Sequence, residues 1–487
     1  MANHTDFLIS SNSTRRCRVA IIGGGASGIT TAKCLREDNH EPVVFESSDQ
    51  IGGVWVYKKT RGGTFDTVHL QNSKYSAAFS DYPMPADFNE FPHHTEVLKY
   101  LDDYIERFQI RDCFKLNTTV EKIRRKGSLW EVTTSSEFGR ITQNFDAIAI
   151  CSGLYHQPKY PNFPGEDSFD GTIIHSCDYK ESSIFAGKNV VVVGNGPSGV
   201  DIAAAASYPA NNVFWSIRKK KWLIPRYDSV GIPIDFTINR LNQLMPKWLL
   251  NMIVKAQIYP LALEHQKCNL LPDFSVLESI PVFNECILKR VRLGAIKPKP
   301  NIAGFQGKKV IFEDGTSVKA DIVVYATGYH ISLPFFDESV AELNEENFQF
   351  YKNVFHPEIS NCAFIGFVYG NSIFPCSEIQ ARWFSKVLTG EVSLPSKEKM
   401  RVGIQAYKQK NNNFVESGHH FLRVSAFDYI DDIAKEINVH PKLWRHWKIA
   451  WHLLTGPLIP TQYRLDGPNR WGGAQEWILK VSKLVQI

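Results

Sequence analysis

The chain has 487 residues, of which 43% are hydrophobic and 22% charged, so it is long enough for two or more globular domains. Its formal charge of +5 is small for this length and gives no indication of a nucleic-acid partner. The nine cysteines include no C-x-x-C or C-x-x-x-x-C pair, which favours a reducing compartment and argues against a disulfide framework or a disulfide reductase.

The first predicted unit is a strand, a glycine-rich turn and a helix. Val19 to Ile22 form an apolar run typical of a buried parallel strand. Gly23, Gly25 and Gly28 follow at G-x-G-x-x-G spacing, which forms a tight turn, approaches a pyrophosphate and lets the helix pack on the strand. A second apolar run ends at Glu46, whose carboxylate can bind a ribose hydroxyl. We therefore predict a dinucleotide site here.

Two segments beyond Glu46 are candidates for the same site. Gly53-Val54-Trp55 leaves the strand that carries the acid, so we assign this turn to the wall of the cofactor site. Gln71, Asn72 and Ser73 are polar residues among apolar ones, and local chemistry alone leaves both a site and a surface loop open. The following pattern predicts further elements: a helix over 96–108, a strand meander within 119–142, a buried strand over 145–150 and a proline-rich linker over 158–164.

The opening pattern then repeats. Asn189 to Val193 form an apolar strand, and Gly194, Gly196 and Gly199 repeat the G-x-G-x-x-G spacing. The next strand ends at Ser216-Ile217-Arg218 instead of at an acid. Because an arginine at this place accommodates a ribose 2′-phosphate, we predict that the second nucleotide is NADP(H), with NADH much weaker. The following lysines and Arg226 are further candidates for the phosphate.

The remainder of the chain interrupts and then resumes the strand–helix alternation. Residues 222–293 predict a mostly helical insertion, and a D-G turn near Gly315 predicts a hairpin. A strand over 321–326 ends in Thr327-Gly328, a further candidate cofactor contact. The tryptophan-rich tail is interpreted as packing, without a catalytic role. The predicted fold is α/β, with two Rossmann-like dinucleotide-binding domains and a mostly helical insertion in the second.

No targeting segment is predicted. Residues 1–16 are polar and lack the apolar region of a signal peptide, so we predict a loosely ordered N-terminal arm. Leu241 to Leu263 form the most apolar long segment, but Lys247, Gln257 and Pro260 interrupt it. We expect a soluble, cytoplasmic protein without a transmembrane anchor, and a peripheral membrane contact through this segment stays open.

A third pattern resembles a known family. Phe169 to Tyr179 read F-x-G-x-x-x-H-S-x-x-Y, which resembles the fingerprint of flavin-containing monooxygenases. Baeyer–Villiger monooxygenases have a related pattern with tryptophan at the last position, where this chain has Tyr179. The resemblance covers nearly the whole chain and is similar to the animal-type multisubstrate enzymes, although the sequence ends at Ile487 without their long hydrophobic anchor. It runs through Trp55, Asn72, Tyr325–Tyr329, Gln380–Trp383 and Gln462–Pro468.

The resemblance implies the chemistry. The cofactors would be FAD and NADPH, and O₂ would add to the reduced flavin to form a C4a-hydroperoxide that oxygenates a small amine or sulfur nucleophile. Asn72 matches the asparagine that family members place beside the flavin and the nicotinamide, and is the predicted catalytic residue. His175 and Tyr179 are expected to organise the linker between the nucleotide domains. Whether the chain forms a homodimer is left open at this point.

The domain boundaries follow from these units. We predict an FAD-binding domain over 1–165, an NADPH-binding domain over 166–329 with the insertion at about 222–293, and completion of the FAD domain over 330–487. The predicted cofactor-binding residues are Gly23, Gly24, Gly25, Ala26, Ser27, Gly28, Glu46, Gly53, Val54, Trp55, Gln71, Asn72, Ser73, Gly194, Gly196, Ser198, Gly199, Val200, Asp201, Ser216, Arg218, Thr327 and Gly328. No metal site is predicted.

Three alternative functions remain at this point. A Baeyer–Villiger enzyme would insert oxygen into a ketone. An NADPH oxidase would release hydrogen peroxide without substrate. A noncatalytic NADPH or redox sensor would retain the fold and show no flavin turnover, but the second complete nucleotide motif makes this function improbable.

Overall fold

The computed structural model describes residues 16–60, 62–337, 340, 343, 348–370, 372–411 and 422–484. The polar arm predicted over 1–16 lies outside the described residues except for Arg16. Within these ranges the predicted strands and helices of both glycine-containing units are present. Helix boundaries differ from the prediction by a few residues, as expected where side-chain periodicity alone places them.

The strands are mostly short. In chain order they are β1 (Arg18–Ile22), β2 (Glu41–Phe45), β3 (Phe114–Lys115), β4 (Thr119–Lys126), β5 (Leu129–Ser136), β6 (Gly139–Phe145), β7 (Ala147–Ile150), β8 (Gln157–Pro158), β9 (Thr172–His175), β10 (Asn189–Val193), β11 (Asn212–Ser216), β12 (Leu223–Ile224), β13 (Val282–Phe283), β14 (Ile296–Lys299), β15 (Ile302–Gln306), β16 (Lys309–Phe312), β17 (Ser317–Lys319), β18 (Ile322–Tyr325), β19 (Tyr329–His330) and β20 (Cys362–Phe364).

The α-helices vary widely in length. They are α1 (Ala26–Glu37), α2 (Lys74–Ala77), α3 (His94–Arg107), α4 (Pro197–Ala206), α5 (Arg240–Leu244), α6 (Lys247–Gln257), α7 (Tyr259–Lys267), α8 (Ile287–Arg292), α9 (Ile373–Thr389), α10 (Lys397–Asn411), α11 (Ala426–Glu436), α12 (Ala450–Thr455) and α13 (Ala474–Lys483). Among the described helices, none combines the length and the hydrophobicity that a bilayer-spanning segment requires.

The first sheet is parallel and has the order β20-β7-β1-β2-β3. Its central strands are apolar throughout because both faces are covered, one by helices and the other by a core cluster that includes residues of β4, β5 and β6. Helix α1 packs on β1 and on α9, and the largest core cluster lies between this sheet and helices α1, α3, α9 and α11. Strand β20 comes from more than 200 residues beyond β7 in the chain, so this sheet is built from two distant segments.

The second sheet is also parallel, with the order β14-β11-β10-β18-β9. Its strands come from one continuous stretch of chain between Thr172 and Tyr325. Antiparallel β4-β5-β6 and β15-β16-β17 lie outside the parallel sheets. The second of these contains the predicted D-G hairpin, in which Gly315 has φ of 76°.

The insertion is mostly helical, as predicted. It contains helices α5 to α8, and parallel β12 and β13 pair with each other near its two ends. Helix α5 packs against α12 near the end of the chain, so the insertion also contacts the C-terminal segment.

A buried ion network joins distant parts of the chain around α1. The Arg464 side chain is fully buried, and its Nη2 lies 2.8 Å from Asp81 Oδ2 and 2.6 Å from Glu378 Oε1. Its Nε donates to the hydroxyl of Ser80 at 2.6 Å, and Lys33 Nζ lies 2.5 Å from Asp81 Oδ2. Burial opposes ionisation of Asp81, but Arg464 and Lys33 hold its pKa below the ordinary value.

The packing interpretation of the tryptophan-rich tail is wrong for three of its residues. Trp444, Trp447 and Trp451 have exposed fractions of 73%, 72% and 66%. Only hydrophobicity entered that prediction, and it cannot tell a core aromatic from a surface one. Trp477 does pack, stacking on Tyr75 with a centroid distance of 6.4 Å.

Candidate active site

One large cavity lies at the carboxyl ends of both parallel sheets. Its volume is about 1670 Å³, and residues that follow β1, β2, β7, β10 and β18 line it. Ligands of open α/β sheets bind outside the carboxyl ends of the strands. Both predicted nucleotide motifs therefore open into the same space.

The first glycine turn is shaped by the packing of its own backbone. Gly23 has φ of 106°, in the region that favours glycine. A Cβ atom added to Gly28 would lie 1.9 Å from the carbonyl oxygen of Gly23, so only glycine fits there. Gly25 faces the turn that carries Gly53, because a Cβ at Gly25 would lie 3.5 Å from the Gly53 Cα. The turn thus presents backbone, without side chains, to the cavity.

Glu46 links this turn to the end of β2. Its Oε2 accepts a hydrogen bond from the Gly24 N–H at 2.7 Å, and its Oε1 accepts from the Ser48 N–H at 2.9 Å and the Ser48 hydroxyl at 2.8 Å. The carboxylate also lines the cavity. Oε1 also accepts from the Ser47 hydroxyl at 3.4 Å, but Oε2 accepts only from Gly24 among the described residues, so its second lone pair can accept a ribose hydroxyl.

The second glycine turn repeats this geometry. Gly194 has φ of 112°, and a Cβ atom added to Gly199 would lie 2.3 Å from the carbonyl oxygen of Gly194. At Gly196, however, an added Cβ would meet no described atom within 4 Å. The glycine at this place is therefore not demanded by protein packing, and the open space is where a pyrophosphate would approach the N-terminus of α4.

Asn72 lies at the wall of the cavity with 7% of its surface exposed. Its Nδ2 donates to the hydroxyl of Ser372 at 3.2 Å. Ser372 has φ of 63° and immediately precedes α9, so this contact joins the loop of Asn72 to the start of that helix. The Asn72 amide keeps its oxygen and a second N–H for a ligand.

Two dinucleotides fit the residues present. Gln71 Oε1 and Ser152 Oγ are buried, belong to cavity-lining residues and have no hydrogen-bond partner among the described residues. Buried polar atoms are normally paired, so unpaired ones at a cavity wall indicate a ligand. Together with the open space beside Gly196, they support nucleotide binding on both sides of the cavity.

Most of the predicted cofactor residues line the cavity. These are Gly23, Gly25, Ala26, Ser27, Glu46, Gly53, Val54, Trp55, Gln71, Asn72, Gly194, Gly196, Ser198, Asp201, Ser216, Arg218, Thr327 and Gly328. Burial raises the pKa of Asp201 to about 6, and burial lowers the pKa of Lys221, also at the cavity wall, to about 8.

Five predicted residues lie behind the cavity wall instead. The N–H groups of Gly24 and Ser73 donate to acidic side chains, and Gly28 and Gly199 each pack against the first glycine of their own turn. Val200 is buried in the core of the second sheet. Their contacts support the turns and the loop of Asn72, and none of the five lines the cavity.

Arg226 does not reach the cavity as a phosphate contact. Its Nη1 lies 2.8 Å from Glu285 Oε2, and only 9% of the residue is exposed. No local pattern indicates this carboxylate partner, which is 59 residues further along the chain.

His175 and Tyr179 have structural surroundings. His175 Nε2 lies 3.1 Å from the Gly328 carbonyl oxygen, and its Nδ1 accepts from the Cys177 N–H at 3.2 Å. The Tyr179 ring is fully buried and stacks on Phe185 with a centroid distance of 5.4 Å. These contacts fit a role in organising the segment between the two sheets.

Sequence reasoning missed Ser372, the partner of Asn72. A serine before a helix is a recognisable N-cap signal, but Ser372 makes no capping hydrogen bond and bonds a residue 300 positions earlier instead. Such a long-range contact has no local signature.

Comparison with known proteins decides the family. The family model for flavin-binding monooxygenase-like proteins matches residues 16–485. The chain belongs to the flavin-binding monooxygenase-like family. Flavin-containing monooxygenase 5 from Rattus norvegicus is 35% identical over 487 aligned residues, covering 95% of this chain and 91% of the relative. An N-oxide-forming dimethylaniline monooxygenase 2 from Oryctolagus cuniculus is also 35% identical, with the same coverage.

A solved structure has the same fold as this flavin-binding monooxygenase-like protein. S-allyl-L-cysteine S-oxygenase from Allium sativum superimposes with a TM-score of 0.69 at 23% identity, covering 97% of this chain and 99% of that one. The predicted family, the α/β fold class, and FAD and NADPH as cofactors are confirmed. The prediction of an NADPH-dependent flavin monooxygenase that uses O₂ and a small substrate is confirmed with them.

Proposed function

We propose that this flavin monooxygenase oxygenates soft nitrogen or sulfur nucleophiles. The observation that carries the proposal is the single cavity into which both glycine turns and Asn72 open. The first turn would hold FAD and the second NADPH, and these cofactors would supply the hydride-transfer and O₂ chemistry. The names of the N-oxide-forming relative and the S-oxygenase support these substrate classes.

The chain's own residues have separate tasks in this proposal. The two glycine turns and the N-termini of α1 and α4 bind the pyrophosphates, Glu46 binds a ribose hydroxyl, and Arg218 binds the 2′-phosphate. Asn72 orients the reacting groups through its amide, which donates and accepts without titrating. The apolar walls exclude water, so that polar contacts inside the cavity are strengthened.

The domain boundaries belong to the same proposal. We place FAD in the unit formed by 1–165 and 330–487, because β20 completes the first sheet. We place NADPH in 166–329, which contains all strands of the second sheet.

The direct test is a turnover balance with the FAD-loaded enzyme. NADPH consumption, product and hydrogen peroxide are measured with N,N-dimethylaniline, with methyl phenyl sulfide and with cyclohexanone. We expect about one molecule of N-oxide or sulfoxide per NADPH. Ester formation from the ketone alone would establish the Baeyer–Villiger alternative, and peroxide equal to NADPH with every substrate would establish an oxidase.

Arg218 should determine the preference for NADPH. It is exposed at the end of β11 and lines the cavity. A charge-assisted hydrogen bond contributes about 1.5–3 kcal/mol, so Arg218→Ala should raise the KM for NADPH roughly ten- to a hundredfold and leave NADH turnover unchanged. Steady-state kinetics with both nucleotides measure this difference.

Lys297 provides a matched control for this variant. It lies on the neighbouring strand β14, is exposed and is not among the residues that line the cavity. Lys297→Ala removes the same charge and should change neither KM. Equal losses with NADPH and NADH in Arg218→Ala would show that Arg218 supports the fold.

We also propose a peripheral membrane contact and a cytoplasmic location. Exposed Leu244 and Trp248 in the insertion, with Trp447 and Trp451 near α12, support a peripheral membrane contact, since aromatic residues favour the membrane interface. None of the nine cysteines forms a disulfide, which supports a cytoplasmic location. Sedimentation with anionic vesicles measures the membrane contact, and light scattering tests whether the chain forms a homodimer.

A further inference from the structure

The insertion hydrogen-bonds the loop of Asn72, residues 70–73, at two points. Before Asn72, the Leu70 carbonyl oxygen accepts a hydrogen bond from Arg226 Nε at 3.3 Å. After Asn72, the N–H and the hydroxyl of Ser73 both donate to Asp235 Oδ2, at 2.9 Å and 2.8 Å. The two contacts bracket the residue that faces the cavity.

Asp235 is the stronger of the two contacts. Only 6% of it is exposed, and the same Oδ2 also accepts from the hydroxyl of Ser76. Burial raises the pKa of Asp235, and the hydrogen bonds from Ser76 and Ser73 oppose that rise. Hydrogen bonds to an ionised acceptor are roughly twice as strong as neutral ones, so this carboxylate fixes the backbone that follows Asn72.

The two contact points belong to one connected stretch of the insertion. The Ile234 N–H donates to the Arg226 carbonyl oxygen at 2.8 Å, which ties the beginning of the stretch to its end. Arg226 is itself fixed by its ion pair with Glu285. A shift of one contact point would therefore move the other.

The same stretch is docked firmly on the C-terminal segment. Phe236 packs edge-on against Tyr75 with a centroid distance of 5.3 Å and belongs to a buried cluster with residues of α12 and α13. Arg240 Nη1 lies 2.9 Å from Asp431 Oδ2, and Arg240 Nε donates to Gln462 Oε1 at 2.9 Å. Asp235 is thus presented to Ser73 from a rigid support.

We propose that Asp235 is a positioning residue that holds the Asn72 amide in its working place through Ser73. The inference rests on the proposed function of Asn72, but the contact itself is a property of the chain without substrate. Misplacement of a reacting group by about 1 Å can reduce a rate by about a hundredfold, so loss of this contact should affect oxygen transfer more than nucleotide binding.

Three variants of the FAD-loaded enzyme test this role. Asp235→Ala removes the acceptor of Ser73 and should lower product per NADPH about tenfold, with hydrogen peroxide rising in its place and the KM for NADPH changing less than about twofold. Asp235→Asn should restore coupling, because Asp235 Oδ1 has no hydrogen-bond partner among the described residues and an amide NH₂ can take its position. Ser76→Ala is the matched control. It removes another donor to Asp235 Oδ2 but leaves the contact with Ser73, so coupling should not change.

Hydrogen exchange separates this proposal from the proposed function. In the enzyme without substrate, a peptide covering residues 70–77 should exchange about tenfold faster in Asp235→Ala and at the wild-type rate in Asp235→Asn and Ser76→Ala. Unchanged exchange, unchanged coupling in Asp235→Ala, or equal losses in Asp235→Asn and Asp235→Ala would each overturn the positioning role. If the wild type itself forms no oxygenated product while exchange responds as expected, the proposed function fails and the contact stands.

Discussion

Asn72→Ala is expected to retain FAD, accept hydride from NADPH at the wild-type rate and release hydrogen peroxide in place of oxygenated product. The Asn72 amide lies at the cavity wall, where its hydrogen bond to Ser372 orients it and leaves its oxygen for a ligand. Loss of one preorganised hydrogen-bond donor in an active site typically reduces a rate by about a hundred- to a thousandfold. The measurement is product and peroxide per NADPH, beside anaerobic flavin reduction.

Ser372→Gly is the companion variant for this prediction. Glycine tolerates the φ of 63° found there, so the change removes the hydroxyl that accepts from Asn72 without straining the backbone. We expect an intermediate loss of coupling, because the amide remains but is no longer oriented. Undiminished product per NADPH in Asn72→Ala would show that this residue does not take part in oxygen transfer.

Arg464→Met is expected to destabilise the half that contains the first sheet, where we propose that FAD binds, by about 3–5 kcal/mol, because it leaves Asp81 and Glu378 buried without their shared cation. Those carboxylates lie 2.8 Å and 2.6 Å from Arg464 Nη2. Because α1 begins at the first glycine turn and carries Lys33 of the same network, the loss should reach the flavin site. A denaturant titration monitored by flavin fluorescence measures unfolding and the release of FAD in one sample.

An exposed ion pair provides the contrast. Arg111 contacts Asp102 and Glu106 with 49% of its side chain exposed. Arg111→Met should cost less than about 1 kcal/mol, since surface pairs contribute little. Similar unfolding midpoints for Arg464→Met and the wild type would mean that the buried network is neutral to stability.

Sequence reasoning was most successful where a local pattern determines a local structure. The runs Val19–Ile22 and Asn189–Val193 each precede a G-x-G-x-x-G turn, and both became central parallel strands ending at the cavity. At Gly28 and Gly199 the physical reason is now visible, because each position has no room for a Cβ atom. These constraints act over a few residues, which is why the pattern alone revealed them.

Contacts between distant segments could not be predicted in this way. Arg226 was a candidate phosphate contact because of its charge, but Glu285 and Leu70 bind it elsewhere. Asp235 and Ser372 contact the loop of Asn72 from 162 and 300 residues away. Each such contact depends on how the two halves of the chain pack, which periodicity and spacing do not encode.

The discontinuous first sheet has a consequence for the order of events during synthesis. Strands of the second sheet leave the ribosome as one block between Thr172 and Tyr325, whereas the first sheet waits for β20 and for α9, which packs on α1. Domains fold as they emerge, and contacts between distant segments form slowly. We therefore expect the half proposed to bind NADPH to be native while the proposed FAD site is still incomplete, so that FAD binds only after α9 has been made.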